Sequence, residues 1–342
     1  MQKPIYAAVW QSVWPTILAL AVALIIGIFF VLPADENIFR VYWEWFTAGF
    51  GCQSAKNCAL LTMLQYATPI ILSGLSATVA FRAGLISIGQ LGQMVVGAGF
   101  TTFVATNILI DPLPRTVLAV SAGMAGGALW GFLPGLLKAY LDIHEVISTL
   151  ILNPLSLAAV GWMGWRRIPE EMQWEPFVAG TKLSWAFPLT LFTAVAIYFY
   201  LFRSTRGFRL RSSGQAMQHA GYAGISAKGS IVRGMMLSGA LAGLAGSFEV
   251  LAVHYRFISS FSSLSQFDGI IVSLLGRLHP AGIVINAGII GGLRLGALNG
   301  LQLQTDVPRE LGNAIIAISM LLISIPPQYW RKITPKFRKN YD

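Results

Sequence analysis

Apolar and polar positions fall along this chain in long blocks. Runs rich in Leu, Ile, Val, Ala, Phe and Gly occupy about 13–33, 60–81, 90–110, 116–138, 146–165, 185–202, 232–252, 265–277, 280–300 and 311–326. A helix crossing a bilayer needs about 20 residues, rising ~1.5 Å each, to cover roughly 30 Å of hydrocarbon. Most of these runs meet that length, so the pattern predicts an all-α polytopic membrane protein with about ten transmembrane helices and its termini on one side. The first run follows Lys3 and is longer than the apolar core of a signal peptide, so it reads as an uncleaved first helix. The polar stretch 34–59 reads as an external loop.

Two places depart from plain spanning helices, near 82–92 and 265–280. In TVAFRAGLISIGQLGQMVVGAG (78–99) a helix meets Arg82, then Gly84, Gly89 and Gly92, with Gln90 and Gln93 entering the next run. In FDGIIVSLLGRLHPAGIVINAGIIGG (267–292) only about a dozen residues precede Arg277, His279 and Pro280. Short segments interrupted by Gly or Pro point to a translocation site when they recur in the two halves of a transporter. Tight cytoplasmic turns, each with an arginine snorkelling to the interface, are the other reading.

Charge then orients the chain. Only 11% of residues are charged against 55% hydrophobic, which excludes an ordinary soluble domain, where roughly 25% are charged. The formal net charge of +10 comes from basic loops, so it reflects topology rather than a nucleic-acid surface. Between two apolar runs, 203–233 holds Arg203, Arg206, Arg209, Arg211, Lys228 and Arg233 and no acid. Counting outward from it places 15 basic residues inside and 8 outside, with Arg294 in a span, an N-in/C-in arrangement. This loop also has helix-forming content, so it serves as a topology signal or as a seat for a soluble partner.

Other residues report on packing. Gly123, Gly127, Gly131 and Gly135 repeat every four positions, as do Gly288, Gly292, Gly296 and Gly300, and such stripes let helices approach closely. Gly239, Gly243 and Gly246 read the same way. Arg294 lies about 200° around the helix from Gly292, so it either meets Glu249 or Asp268 or snorkels outward. Cys52 and Cys58 in the external loop are a disulfide or two thiols.

Several chemistries are missing from the sequence. It has no G-x-x-x-x-G-K-[ST], no H-E-x-x-H and no G-x-S-x-G, and His144, His219, His254 and His279 are scattered. Span interiors hold almost no acids, which disfavours a proton- or sodium-coupled carrier. The pattern therefore predicts a transport path that draws energy from a partner and holds no cofactor or metal of its own. A self-sufficient carrier or channel is the alternative. Gln90, Gln93, Asn153 and Asp268 are candidate path residues, with Trp130 or Phe267 as stacking faces. Buried amides that satisfy a broken backbone, and aromatics at an interfacial belt, are the competing readings. The uncharged amides among them suit a neutral hydrogen-bonding solute such as a nucleoside better than an amino acid.

The stretches PIILSGLSATVAFRAGLISIGQLGQ (69–93), EVISTLILN (145–153), GQAMQHAGYAGI (214–225) and FDGIIVSLLGRLHPAGI (267–283) resemble the membrane subunits of bacterial ABC importers. The group is that of simple-sugar, nucleoside and branched-chain amino acid permeases, and the similarity is greatest to the longer nucleoside and simple-sugar permease. The resemblance implies one permease domain over 1–342 in the bacterial inner membrane, a second permease subunit, two ATPase subunits that use ATP and Mg, and an external solute-binding protein. It also implies that 203–233 couples to the ATPase through Gly214, Ala216, Met217, Ala220, Tyr222, Gly224 and Ile225. This chain departs from the family pattern at Ala216, Met217 and His219, and near Ser87 and Leu91.

Overall fold

The computed structural model describes residues 5–32, 36–54, 57–163, 166–176, 178, 181–258, 263–305 and 307–323. Lys3, Asp35, Lys56, Asp306, positions 324–326 and the basic tail from Arg331 to Lys339 lie outside the described residues. Each of the ten predicted segments coincides with a helix. In order these are α1 (Ile5–Val31), α3 (Ala59–Arg82), α4 (Gln90–Asn107), α5 (Pro112–Leu141), α6 (Glu145–Val160), α7 (Ala186–Arg203), α10 (Ala227–Glu249), α11 (Ser263–Leu275), α12 (Pro280–Gly296) and α14 (Arg309–Ile323). Between them lie α2 (Ile38–Phe50), α8 (Thr205–Gln215), α9 (Met217–Tyr222) and the single turn α13 (Gln302–Gln304). Helices α10 and α12 each run on into a π-helical turn, Val250–His254 and Ala297–Leu301. Five described stretches are long and apolar enough to cross a membrane: α3, α5, α7, Ala227–His254 and Pro280–Gln304.

The stretch 34–59, expected as an external loop, contains helix α2. Asn37 caps α2 by accepting from the Phe39 N–H, and Val41, Trp45 and Gly49 recur every four residues as its buried face. That face is the partner of the second glycine stripe: a Cβ added to Gly296 would lie 2.2 Å from Trp45 O, and one on Gly300 2.5 Å from Glu44 O. The Trp45 indole, 1% exposed, donates to Leu293 O at 2.8 Å. After α2, strands β1 (Cys52–Ser54) and β2 (Asn57–Cys58) pair antiparallel and Cys52 and Cys58 form a disulfide.

Three apolar cores hold the helices together. One centres on α3, α7, α10, α11 and α12, a second joins α4, α5 and α6 to the first π turn, and a third joins α1, α2, α12 and α14. Helix α3 is enclosed almost all round, and its Ser76 hydroxyl meets that of Ser238 at 2.9 Å. The first glycine stripe packs on α10, where Gly127 and Gly131 face the carbonyls of Gly239 and Met235.

Arg294 meets Asp268 rather than Glu249, which contacts His254 at 3.1 Å. Arg82, at the end of α3, reaches across to the second interruption. Its guanidinium turns along the protein and donates to Leu278 O at 3.1 and 3.3 Å and to Arg277 O at 3.4 Å. The two interrupted segments therefore meet each other.

Candidate functional site

The first interruption is a stretch of extended chain between two helices. Arg82 ends α3, Gly84 turns the chain with φ +78°, a region open to glycine without penalty, and residues 85–89 run outside any helix to Gln90. Backbone groups outside helices need partners when shielded from water. Helix α6 supplies them from one face, since Glu145, Thr149 and Asn153 are spaced by four. Glu145 Oε1 accepts from Ile86 N–H (3.2 Å), Thr149 Oγ1 from Ile88 N–H (3.3 Å) and Asn153 Oδ1 from Gly92 N–H (3.0 Å). The Asn153 amide returns a bond to Ile88 O at 2.9 Å. Glu145 and Thr149 were not singled out from sequence, though their four-residue spacing to Asn153 within EVISTLILN was a usable signal.

Beside this frame the structure brings Trp130 and Asn153 together at Gly92 and sets Gln93 against Gly131, while Gln90 lies one turn earlier on α4. Gly92 leaves room: a Cβ there would lie 3.0 Å from Trp130 Nε1 and 3.1 Å from Asn153 Oδ1. A Cβ on Gly131 would lie 3.2 Å from Gln93 Nε2. Gln90 is 0% and Gln93 1% exposed. Gln90 donates to Ser87 O at 3.2 Å, while Gln90 Oε1, Gln93 Oε1 and Trp130 Nε1 have no hydrogen-bond partner among the described residues. Unmatched buried donors and acceptors cost roughly 1–3 kcal/mol each, so each of these groups calls for a ligand or water.

Asp268 and Phe267 do not join this cluster. Both lie on α11, where the Asp268 carboxylate takes both the Nε and an Nη of Arg294 while Phe267 is 48% exposed. Arg294 donates further to Asn313 Oδ1.

The 203–233 loop has two parts. Helix α8 begins at Ser204, whose hydroxyl accepts from Gly207 N–H at 3.0 Å, and it buries Leu210 and Ser213 against the other helices. Its end rests on the first interruption, where a Cβ on Gly214 would lie 2.4 Å from Arg82 O and 2.6 Å from Gly84 N. The chain breaks at Ala216 and starts α9, of which Ala220 is buried while Tyr222 is 92% exposed. Gly224, with φ +70°, ends the helix, and Ile225 N–H returns to Ala220 O at 3.0 Å. Among the described residues, nothing beyond its own local backbone lies within 4 Å of a Cβ built on Gly221 or Gly224. The Met217 side chain lies outside the described residues. Thus, among the described residues, Gly221, Tyr222, Ala223 and Gly224 are exposed at the end of α9, and Arg203, Arg206 and Arg209 are exposed earlier in the same loop.

Comparison with known proteins places these features. A family model described as "Branched-chain amino acid transport system / permease component" matches residues 59–324. The guanosine ABC transporter permease protein NupP of Bacillus subtilis (strain 168) is 35% identical over 76% of this chain and 79% of its own length. The nucleoside ABC transporter permease protein NupB of Lactococcus lactis subsp. cremoris (strain MG1363) is 29% identical over 92% of this chain and 91% of its own. The glucose ABC transporter permease protein TsgB13 of Haloferax volcanii is 25% identical over 97% of this chain and 90% of its own.

Proposed function

Since the chain belongs to the family of permease components of branched-chain amino acid transport systems, we propose that it is the permease subunit of an ATP-driven importer whose solute is a nucleoside. The observation that carries the solute class is three buried, uncharged groups on α4 and α5, Gln90 Oε1, Gln93 Oε1 and Trp130 Nε1, two acceptors and a donor without a hydrogen-bond partner among the described residues. A nucleobase offers matching N–H and carbonyl groups and needs no countercharge, whereas an amino acid would leave its ammonium and carboxylate unpaired in a dry site. The relatives named for guanosine and nucleosides support the same choice, and the glucose relative keeps a simple sugar as the second solute to test.

In this reading α9 seats in a cytoplasmic ATPase, through Gly214, Ala216, Met217, Ala220, Tyr222, Gly224 and Ile225. ATP and Mg belong to that subunit, and this chain supplies no hydrolytic site. A second permease, an external solute-binding protein and an inner-membrane location with both termini inside complete the scheme.

Replacing Gln215–Gly224 by a Gly/Ser linker is expected to abolish ATP-driven uptake and co-purification of the ATPase. Normal co-purification would remove α9 from the dock. For the pathway, Gln93→Leu in the reconstituted complex is expected to raise KM for nucleoside about tenfold, the equivalent of ~1.4 kcal/mol and of one lost hydrogen bond. An unchanged KM would place the solute elsewhere.

A further inference from the structure

We propose that Arg82 is a positioning residue that ties both interrupted segments to the ATPase dock, so that one displacement of α8 moves them together. The inference rests on α9 being that dock.

Three contacts converge on Arg82. Its backbone is pressed by α8, since a Cβ on Gly214 would fall 2.4 Å from Arg82 O and 2.6 Å from Ala83 C. Such spacing leaves no slack, so a shift of Gly214 is transmitted to the 82–84 backbone. Its guanidinium holds the α11–α12 turn through Leu278 O and Arg277 O. Arg277 and Leu278 have φ +52° and +55°, a left-handed pair that non-glycine residues adopt only when their surroundings impose it. Its third contact is a ring: the Arg82 guanidinium lies 5.4 Å from the centre of Phe202, and Arg211 of α8 lies 5.2 Å from the same centre.

Phe202 also packs on His279, the residue that follows the left-handed pair, with ring centres 5.4 Å apart. The last turn of α7 thus joins α8 to the second interruption by a second route. Two cations sharing one ring repel each other. Arg82 is held there by the carbonyls of the turn, whereas Arg211 Nε is buried without a hydrogen-bond partner among the described residues. A displacement of α8 carrying Arg211 away therefore changes what holds Arg82. From Gly84 the chain reaches Gln90 in six residues, so the same displacement arrives at the polar cluster.

The test uses the full complex in proteoliposomes, with labelled guanosine as the probe, and reads solute taken up per ATP hydrolysed. Arg82→Met is expected to lower that ratio at least tenfold, while ATPase subunits co-purify at the wild-type ratio and KM stays within twofold. Arg82→Lys, which reaches one carbonyl as a point charge, is expected to recover part of the ratio. Phe202→Leu keeps apolar volume but loses the ring faces, and is expected to lower the ratio about threefold; if Arg82→Met does not assemble, this variant and Arg82→Lys decide. A wild-type ratio in the assembled variants overturns the proposal. Loss of ATPase co-purification in them also overturns it, since Arg82 would then belong to the dock itself. Intact co-purification after the 215–224 replacement would instead overturn the dock.

Discussion

Arg294→Met is expected to cost the folded chain about 3–5 kcal/mol, enough to lose most of the purified protein at ordinary temperature. Arg294 on α12 donates to both carboxylate oxygens of Asp268 on α11 and to Asn313 on α14, and the Asp268 side chain is 2% exposed. Removing the cation leaves a buried carboxylate among apolar helices, and that uncompensated charge sets the size of the effect. Arg294→Lys retains a charge but not the planar fork that meets both oxygens, so an intermediate loss is expected. The double variant Arg294→Met with Asp268→Leu removes both charges and should regain most of the stability. Thermal unfolding in detergent followed by size-exclusion chromatography measures all three. An Arg294→Glu protein that folds and transports like the wild type would show that the pair does not hold α11 to α12.

How much of this was legible in the residues follows from what each feature depends on. Apolar run length depends on composition alone, and all ten runs appear as helices. The glycine stripes were legible because a four-residue repeat fixes one helix face, and the direction of Arg294 away from that face follows from the same geometry. The partner of the second stripe was not legible. Glu36, Arg40 and Glu44 made 34–59 look like a loop, although Ile38, Val41, Trp45 and Gly49 keep a helical period. A 13-residue helix cannot span, so length argued against it while periodicity argued for it. Gln90, Gln93, Trp130 and Asn153 were recognisable as polar or aromatic residues out of place in apolar runs. Asp268 shared that signal, but its partner is 26 positions away, and composition alone did not choose between Asp268 and Glu249 for Arg294. The acceptors of Arg82 are backbone carbonyls of a left-handed turn, which no residue type announces.

Gly239→Ala is expected to destabilise the protein by about 1–3 kcal/mol, although alanine is the better helix former by about 1 kcal/mol. The sign is set by α5. A Cβ on Gly239 would lie 2.2 Å from Gly127 O, a Cβ on Gly127 would lie 2.3 Å from Gly239 O, and one on Gly243 would lie 2.3 Å from Gly123 O. These are backbone atoms that no rotamer change can move, so the helices must part along a run of contacts. Gly288 is the matched control. It sits in a helical stripe where, among the described residues, a Cβ would meet Met63 Sδ alone, at 3.9 Å, so Gly288→Ala should be neutral or stabilising. The separation also reaches the polar cluster, because a Cβ on Gly131 would sit 2.4 Å from Met235 O on α10 and 3.2 Å from Gln93 Nε2. Pushing α10 from α5 therefore loosens Gln93 and Trp130, and Gly239→Ala should raise KM for guanosine as well as lower the melting temperature. Equal melting temperatures for Gly239→Ala and Gly288→Ala would mean that the backbones can separate at no cost, and the polar cluster would then lack the rigid wall that its unpaired groups require.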